Sequence, residues 1–246
     1  MSESFALAPS VWNRRNRTGL FLSLLSAALI LAATTTARAQ FGGPPTTQVH
    51  DASALRPPAG ARVAIVEFAD MECPDCGNAN PILKQAVATY HIPWVRYDFP
   101  LAMHNWSFNA AVNARWFDTH SKALGDEYRD EIFANQRSIE TPAQLRQFTD
   151  KFAQSHGIAL PFSIDPQGKL AAEVKADYAL GQRIGIEHTP TIWVVTANSK
   201  GAPFVEIVDR SKLYQLIDQA LADTRSAAPA PKLAAKSGST KKTATK

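Results

Sequence analysis

Cysteine is scarce in this chain: of 246 residues only Cys73 and Cys76 are of that type. A scaffold held by several disulfides is excluded, and so is a four-cysteine zinc site. Long apolar runs are scarce too. The longest, residues 19–33, falls short of the ~20 residues that cross a bilayer comfortably, so a multi-pass membrane protein is excluded. There is no internal repeat. Apolar content, by contrast, is ample at 45%, which excludes a wholly disordered chain and supplies one sizeable domain or two small ones with a core.

The formal charge of +4 conceals an uneven distribution. Residues 1–39 carry four arginines, and residues 224–246 carry six basic residues and no acid. The stretch between them holds 16 basic against 21 acidic residues, a net −5. An acidic folded part argues against nucleic acid as its partner.

The N-terminus reads as an export signal. Arg14, Arg15 and Arg17 precede the apolar run, and Ala37-Arg38-Ala39 places small residues where a signal peptidase cuts. Residues 1–39 are therefore expected to be a cleaved signal peptide, with an uncleaved membrane anchor as the alternative. Either puts the domain outside the cytoplasm, where disulfides persist. Residues 40–60, rich in Pro, Gly and Thr, are expected to be a linker, and residues 224–246 a disordered basic tail.

Between them, the β-branched run at 62–68 predicts a strand buried on both faces. A helix follows from Cys73-Pro74 to about residue 88, with Pro81 as a kink. A second strand is expected at 92–99. Residues 104–156 hold helical stretches near 107–120, 126–135 and 141–156, and a further helix follows Asp165-Pro166. Strands at 191–196 and 204–208 flank an Asn-Ser-Lys-Gly turn at 198–201, and Ser211 caps a closing helix. The first two strands, joined through a helix, should run parallel, and the hairpin should add an antiparallel edge.

A C-x-x-C opening a helix after a buried strand has a direct chemical reading. Cys73 sits where unpaired backbone N–H groups and the positive end of the helix dipole stabilise a thiolate. Cys76 lies one turn along on the same face, within reach of a disulfide. Stabilising the thiolate stabilises the reduced pair, which makes the disulfide the better oxidant. Three blander uses compete. A structural disulfide closing so short a loop removes little chain entropy. A metal site would need further ligands, for which His104 and His188 are loose candidates. Two unrelated buried thiols would leave the proline between them unexplained.

The stretch VEFADMECPDCGNANPIL at 66–83, the later GIEHTPTIWVV at 185–195 and the helical block between them resemble the thioredoxin superfamily. More closely they are similar to exported DsbA-like thiol–disulfide oxidoreductases. The resemblance implies an α/β class, a thioredoxin fold with an inserted helical domain: residues 61–223 as the domain and about 102–184 as the insertion. It implies Cys73 as the exposed nucleophile and Cys76 as the more buried resolving thiol. It implies a cis peptide bond at Thr189-Pro190, in a loop facing the sulfurs, where the Thr189 backbone could pair with an extended substrate strand. Glu67 is placed beneath the disulfide, where burial would raise its pKa and suit proton transfer with Cys76.

Two residues depart from the family pattern. His188 stands before Thr189-Pro190, and its cationic form would support the Cys73 thiolate if the ring faced the sulfurs. Asp75, next to Pro74 within the motif, would oppose that thiolate, which predicts a milder oxidant, between about −120 and −270 mV. The expected function is that of an exported dithiol oxidase acting on cysteine-containing exported proteins and reoxidised by a quinone-coupled membrane partner, with no metal or organic cofactor. The alternatives are a disulfide reductase and a thioredoxin-like binding or chaperone module.

Overall fold

The computed structural model describes residues 46–197 and 202–225. The expected signal peptide, the 198–201 turn and nearly all of the basic tail lie outside these residues. Among those described, no helix is long and apolar enough to cross a membrane.

Strand β1 (Val63–Ala69) is the β-branched, apolar run, and all of it but Ala69 is buried. Its burial on both faces follows from its central place in a four-stranded sheet of order β2-β1-β3-β4. It runs parallel to β2 (Trp94–Asp98), with Glu67 opposite Arg96, and antiparallel to β3 (Thr191–Thr196), with Glu67 opposite Ile192. β3 pairs in turn with the short β4 (Phe204–Glu206).

Side chains alternate across the sheet. Val63, Ile65, Ile192 and Val194 point to one face, where they pack with Leu83 of helix α1 (Pro74–Tyr90) and Leu213, Leu216 and Ile217 of the closing helix. Ala64, Val66, Phe68, Trp193 and Val195 point to the other, against Phe99 and Ile184. Between β2 and β3 the chain forms helices α2 (Ser107–Asp118), α3 (Lys122–Asn135), α4 (Pro142–Ser155) and α5 (Lys169–Ile184). A third core belongs largely to these helices: Trp106, Phe117, Tyr128, Ile132 and Phe152 pack together, and Met71, Cys73 and Cys76 join them. The closing helix, α6, spans Leu213–Arg225.

Several boundaries differ from the sequence reading, each for a local reason. α3 starts one turn early, because the Ser121 hydroxyl accepts a hydrogen bond from the Leu124 N–H at 3.1 Å and caps it there. α5 begins only after Gly168, whose φ of 68° takes the chain through the left-handed region. β4 stops at Glu206, and the cap of the final segment is Asp209 rather than Ser211: its carboxylate accepts from the Ser211 N–H at 3.0 Å and starts a 3₁₀ turn over Arg210–Lys212. Thr141-Pro142 opens α4 as expected, with the Thr141 hydroxyl accepting from Gln144 N–H.

The described part of the expected linker, residues 46–60, lies packed on the domain. Leu55 is buried in the second sheet face, and His50 N–H donates to the Ile184 carbonyl at 2.8 Å. The buried Glu206 carboxylate accepts from the Thr46 hydroxyl at 2.6 Å and the Thr47 N–H at 3.0 Å. These contacts hold the segment against β4 despite its linker-like composition.

Candidate active site

Cys73 is the N-cap residue of α1, with Pro74 in the first helical turn, a position that has no need of a backbone donor. The cap itself is held from two sides. Cys73 N–H donates to the Asp70 carbonyl at 3.1 Å, and Gln136 Nε2 donates to the carbonyls of both Met71 (2.7 Å) and Cys73 (2.9 Å). A cleft of about 460 Å³, lined by Glu72, Pro74, Trp106, Phe133, Gln136 and Ile139, opens beside this turn.

Both cysteines are free thiols and both are buried, Cys73 keeping 7% of its surface and Cys76 none. The order of exposure is the expected one, but Cys73 is less open than its resemblance implied. Its environment shifts it strongly: the hydrogen bond from Cys76, then the Thr189 side chain and the N–H groups of Cys76 and Asp75, bring its pKa down to about 5 against the opposing effect of burial. Cys76 moves the other way. Burial raises it well above an ordinary thiol, and its bond to Cys73 and the charge of Glu67 add to the shift. Two thiols one turn apart are thus divided into one that ionises readily and one that holds its proton.

Glu67, on β1, is 1% exposed, and burial raises its pKa to about 7, with Arg96 and a hydrogen bond from Trp94 partly opposing. That bond runs from Trp94 Nε1 to Oε2 at 3.0 Å, and the Arg96 guanidinium lies 4.2 Å above the Trp94 ring. Trp94 is half-buried and anchors this carboxyl. The peptide bond before Pro190 is cis. Thr189 is buried, and its carbonyl accepts a hydrogen bond from Cys73 Sγ at 3.3 Å, so in the dithiol form that carbonyl is engaged rather than open.

The two departures from the family pattern fall differently. His188 is exposed, and its Nε2 lies 3.5 Å from Thr46 Oγ1; the groups that shift Cys73 do not include it. Asp75 stands in the first turn of α1, two residues after Cys73, but its carboxylate is paired: Arg210 Nη2 and Nη1 donate to its two oxygens at 2.7 and 2.9 Å. That pairing holds the Asp75 carboxyl below its usual range. The opposition expected from Asp75 is therefore met by a cation 135 residues away.

Sequence reasoning also missed Asp70. Its carboxylate is buried and accepts from the N–H groups of Glu72 (2.7 Å) and Leu101 (2.6 Å), from Nδ1 of His104 (2.7 Å) and from the Ser107 hydroxyl, while its own N–H reaches Cys76 Sγ at 3.5 Å. His104, weighed as a metal ligand, is committed to this carboxylate. Glu72 adds a second tie, accepting from the N–H groups of Trp106 (2.8 Å) and Ser107 (3.0 Å) at the start of α2, where a negative charge is favoured. An acid three positions before a cysteine carries no pattern that would mark it as such a hub. Among the described residues, no group of three or more His, Cys, Asp or Glu is arranged to hold a metal ion.

A family model described as Thioredoxin matches residues 58–210. One curated relative is the Na(+)/H(+) antiporter NhaA 3 of Salinispora tropica, 27% identical over 146 residues, which are 58% of this chain and 22% of that protein. The match thus spans about a fifth of the relative's length. Among solved structures, the thiol-disulfide exchange protein alpha-DsbA2 from Wolbachia pipientis superposes with a TM-score of 0.53 at 18% identity, covering 67% of this chain and 84% of its own. A periplasmic thioredoxin-like protein from Salmonella enterica serovar Typhimurium gives 0.53 at 19% identity, covering 67% and 87%. At these identities the two structures establish a shared fold.

Proposed function

Since this chain belongs to the thioredoxin family, we propose that it is a protein thiol–disulfide oxidoreductase, working as a dithiol oxidase on exported proteins. The observation that carries the reading is the division of labour between the sulfurs: a Cys73 pKa near 5 beside a Cys76 held well above the ordinary thiol value. A low-pKa thiolate is a good leaving group and its stability favours the reduced pair, so the disulfide form gives up its bond readily.

In the proposed cycle a substrate thiolate attacks Sγ of Cys73 in the Cys73–Cys76 disulfide. The S–S bond breaks, Cys76 leaves as a thiolate, and a mixed disulfide forms on Cys73. Cys76, costly to leave charged where it is buried, takes a proton; Glu67, with a pKa near 7, is the group proposed to deliver it. A second substrate thiolate then attacks the substrate sulfur of the mixed disulfide and expels Cys73, whose thiolate needs no proton to depart. The substrate has lost two electrons and the pair has gained them. Thr189 and Pro190 are proposed to line the substrate backbone. Reoxidation falls to a membrane-bound, quinone-coupled partner. Residues 1–39 are proposed as the export signal, and the periplasmic thioredoxin-like neighbour supports a site of action outside the cytoplasm.

Acid-quench thiol trapping in the protein's own cells tests the direction. A Cys73–Cys76 pair found mostly as disulfide supports an oxidase; a pair found mostly as dithiol overturns that assignment in favour of a reductase. A Cys73→Ser variant that retained full function in cells would instead favour a binding or chaperone role.

A further inference from the structure

Asp75 lies inside the C-x-x-C motif, two residues from the reactive sulfur. An unpaired carboxylate there would disfavour the Cys73 thiolate, because like charges at close range penalise ionisation. Its actual partner comes from the other end of the domain. Arg210 presents two N–H groups to the two Asp75 oxygens at 2.7 and 2.9 Å, the bidentate fork that fixes direction as well as charge. The placement of Arg210 is built in. It opens the 3₁₀ turn that Asp209 caps, and that turn runs directly into α6, whose Leu213, Leu216 and Ile217 pack in one core with Leu83 of α1. The guanidinium is thus delivered to the N-terminus of α1 by an element already docked on that helix. Through that fork Arg210 stands at the same helix start that Cys73 caps.

We propose that Arg210 is a positioning residue of the dithiol site: by forking onto Asp75 it cancels the carboxylate charge in the first turn of the helix that Cys73 caps, and so sets how oxidising the Cys73–Cys76 disulfide is. The proposal rests on the exchange reading above and assigns the site its tuning element. It also revises the expectation from sequence, because a C-P-D-C motif whose aspartate is neutralised is a stronger oxidant than the same motif with the aspartate free. The other groups acting on the sulfurs are Glu67 of β1, the Asp70 N–H just after that strand, Thr189 in the loop before β3, and the N–H groups of Asp75 and Cys76, all of which the Arg210 substitutions leave chemically unchanged.

The test is the equilibrium with glutathione, in which the protein disulfide and two glutathione thiols become the protein dithiol and one glutathione disulfide. Two electrons and two protons pass to the protein. The full chain, R210Q, D75N, R210K and the double variant D75N/R210Q are compared. R210Q leaves Asp75 unpaired and should favour the disulfide by about three- to tenfold, which at 29.6 mV per decade lowers the potential by about 15–30 mV. D75N leaves Arg210 unpaired and should move the equilibrium the opposite way. The double variant should return to within about twofold of the parent, and R210K should lie closer to the parent than R210Q. Thiolate absorbance at 240 nm should follow, its midpoint rising in R210Q and falling in D75N. The separation should narrow at high salt, since the pair is partly exposed. Variants that all shift the same way, or that lose thermal stability with no change in potential, would show a purely structural clamp and overturn the proposal. A parent chain that fails to exchange with glutathione at all would overturn the exchange reading itself, and the tuning role with it.

Discussion

The thiol of Cys73 donates a hydrogen bond to the carbonyl oxygen of Thr189 at 3.3 Å, across 116 positions of sequence. The contact joins the start of α1 to the loop entering β3, and it depends on a proton. A thiolate or a disulfide sulfur has none to give, so in those states the Thr189 carbonyl is released. The backbone proposed to meet the substrate is thereby coupled to the state of the sulfur that reacts with it.

The ionisation of Cys73 is the first quantity to measure. In the reduced protein, absorbance at 240 nm should rise with a midpoint near pH 5. Cys76 should contribute nothing until well above pH 9. Because the folded pKa of Cys73 is depressed, the stability it confers on the reduced form is fully present above the ordinary thiol range and is lost as pH falls through about 5. The reduced form should therefore gain on the oxidised form between pH 5 and 9 in denaturant titrations. A midpoint near 8.5 would remove the chemical basis of the function proposed.

Glu67 should show the opposite sign. Its folded pKa, about 7, is raised above the ordinary 4.5, so its contribution is fully present below pH 4.5 and is lost as pH rises through 7. Glu67→Gln should accordingly stabilise the protein at pH 8, by at most about 3 kcal/mol at 1.36 kcal/mol per pH unit, with little effect at pH 4. The same substitution should slow thiol exchange by about 10²-fold, as expected for loss of a general acid. Urea unfolding at the two pH values and stopped-flow kinetics check both halves; equal stabilisation at pH 4 and pH 8 would contradict the raised pKa.

Asp70→Ala should be severely destabilising. The substitution strips partners from the Glu72 and Leu101 N–H groups, the Ser107 hydroxyl and His104. Each unsatisfied buried donor costs about 1–3 kcal/mol, so the loss should exceed about 3 kcal/mol. Hydrogen exchange should quicken first where the 99–107 loop meets the first turn of α1. Asp70→Asn, which keeps two acceptor lone pairs, should cost less.

Gly181→Ala tests how α5 meets the sheet. A Cβ at this position would lie 2.6 Å from two atoms of the Phe99 ring and 3.1 Å from the Phe68 ring. Those rings are buried and cannot easily retreat, so overpacking should cost about 1–3 kcal/mol. Thermal unfolding should register the loss while the Cys73 titration stays where it was. Combining the change with Phe99→Leu should recover part of it.

Much of this architecture can be read along the chain. The β-branched run of β1, the helix opened by Cys73-Pro74, the Thr141-Pro142 cap and the parallel pairing of the first two strands all follow from local composition and connectivity. So does the chemistry of the motif, since a cysteine at a helix start is biased toward its thiolate wherever the rest of the chain goes. The starts of α3 and α5 do not follow in the same way, because Ser121 and Gly168 mark boundaries only once the chain has turned there.

The partners of the site residues are another matter. Trp94 reaches Glu67 over 27 positions, the donors to Asp70 include groups 31 to 37 positions away, and Arg210 reaches Asp75 over 135. Periodicity reports which face a residue occupies and says nothing of what stands opposite. The residues themselves determined that two thiols would stand one turn apart at a helix start, the first of them biased toward its thiolate. Only the folded chain decided how strongly it is biased, because the charges and donors that bias it come from distant segments, and an electrostatic effect depends on separation in space.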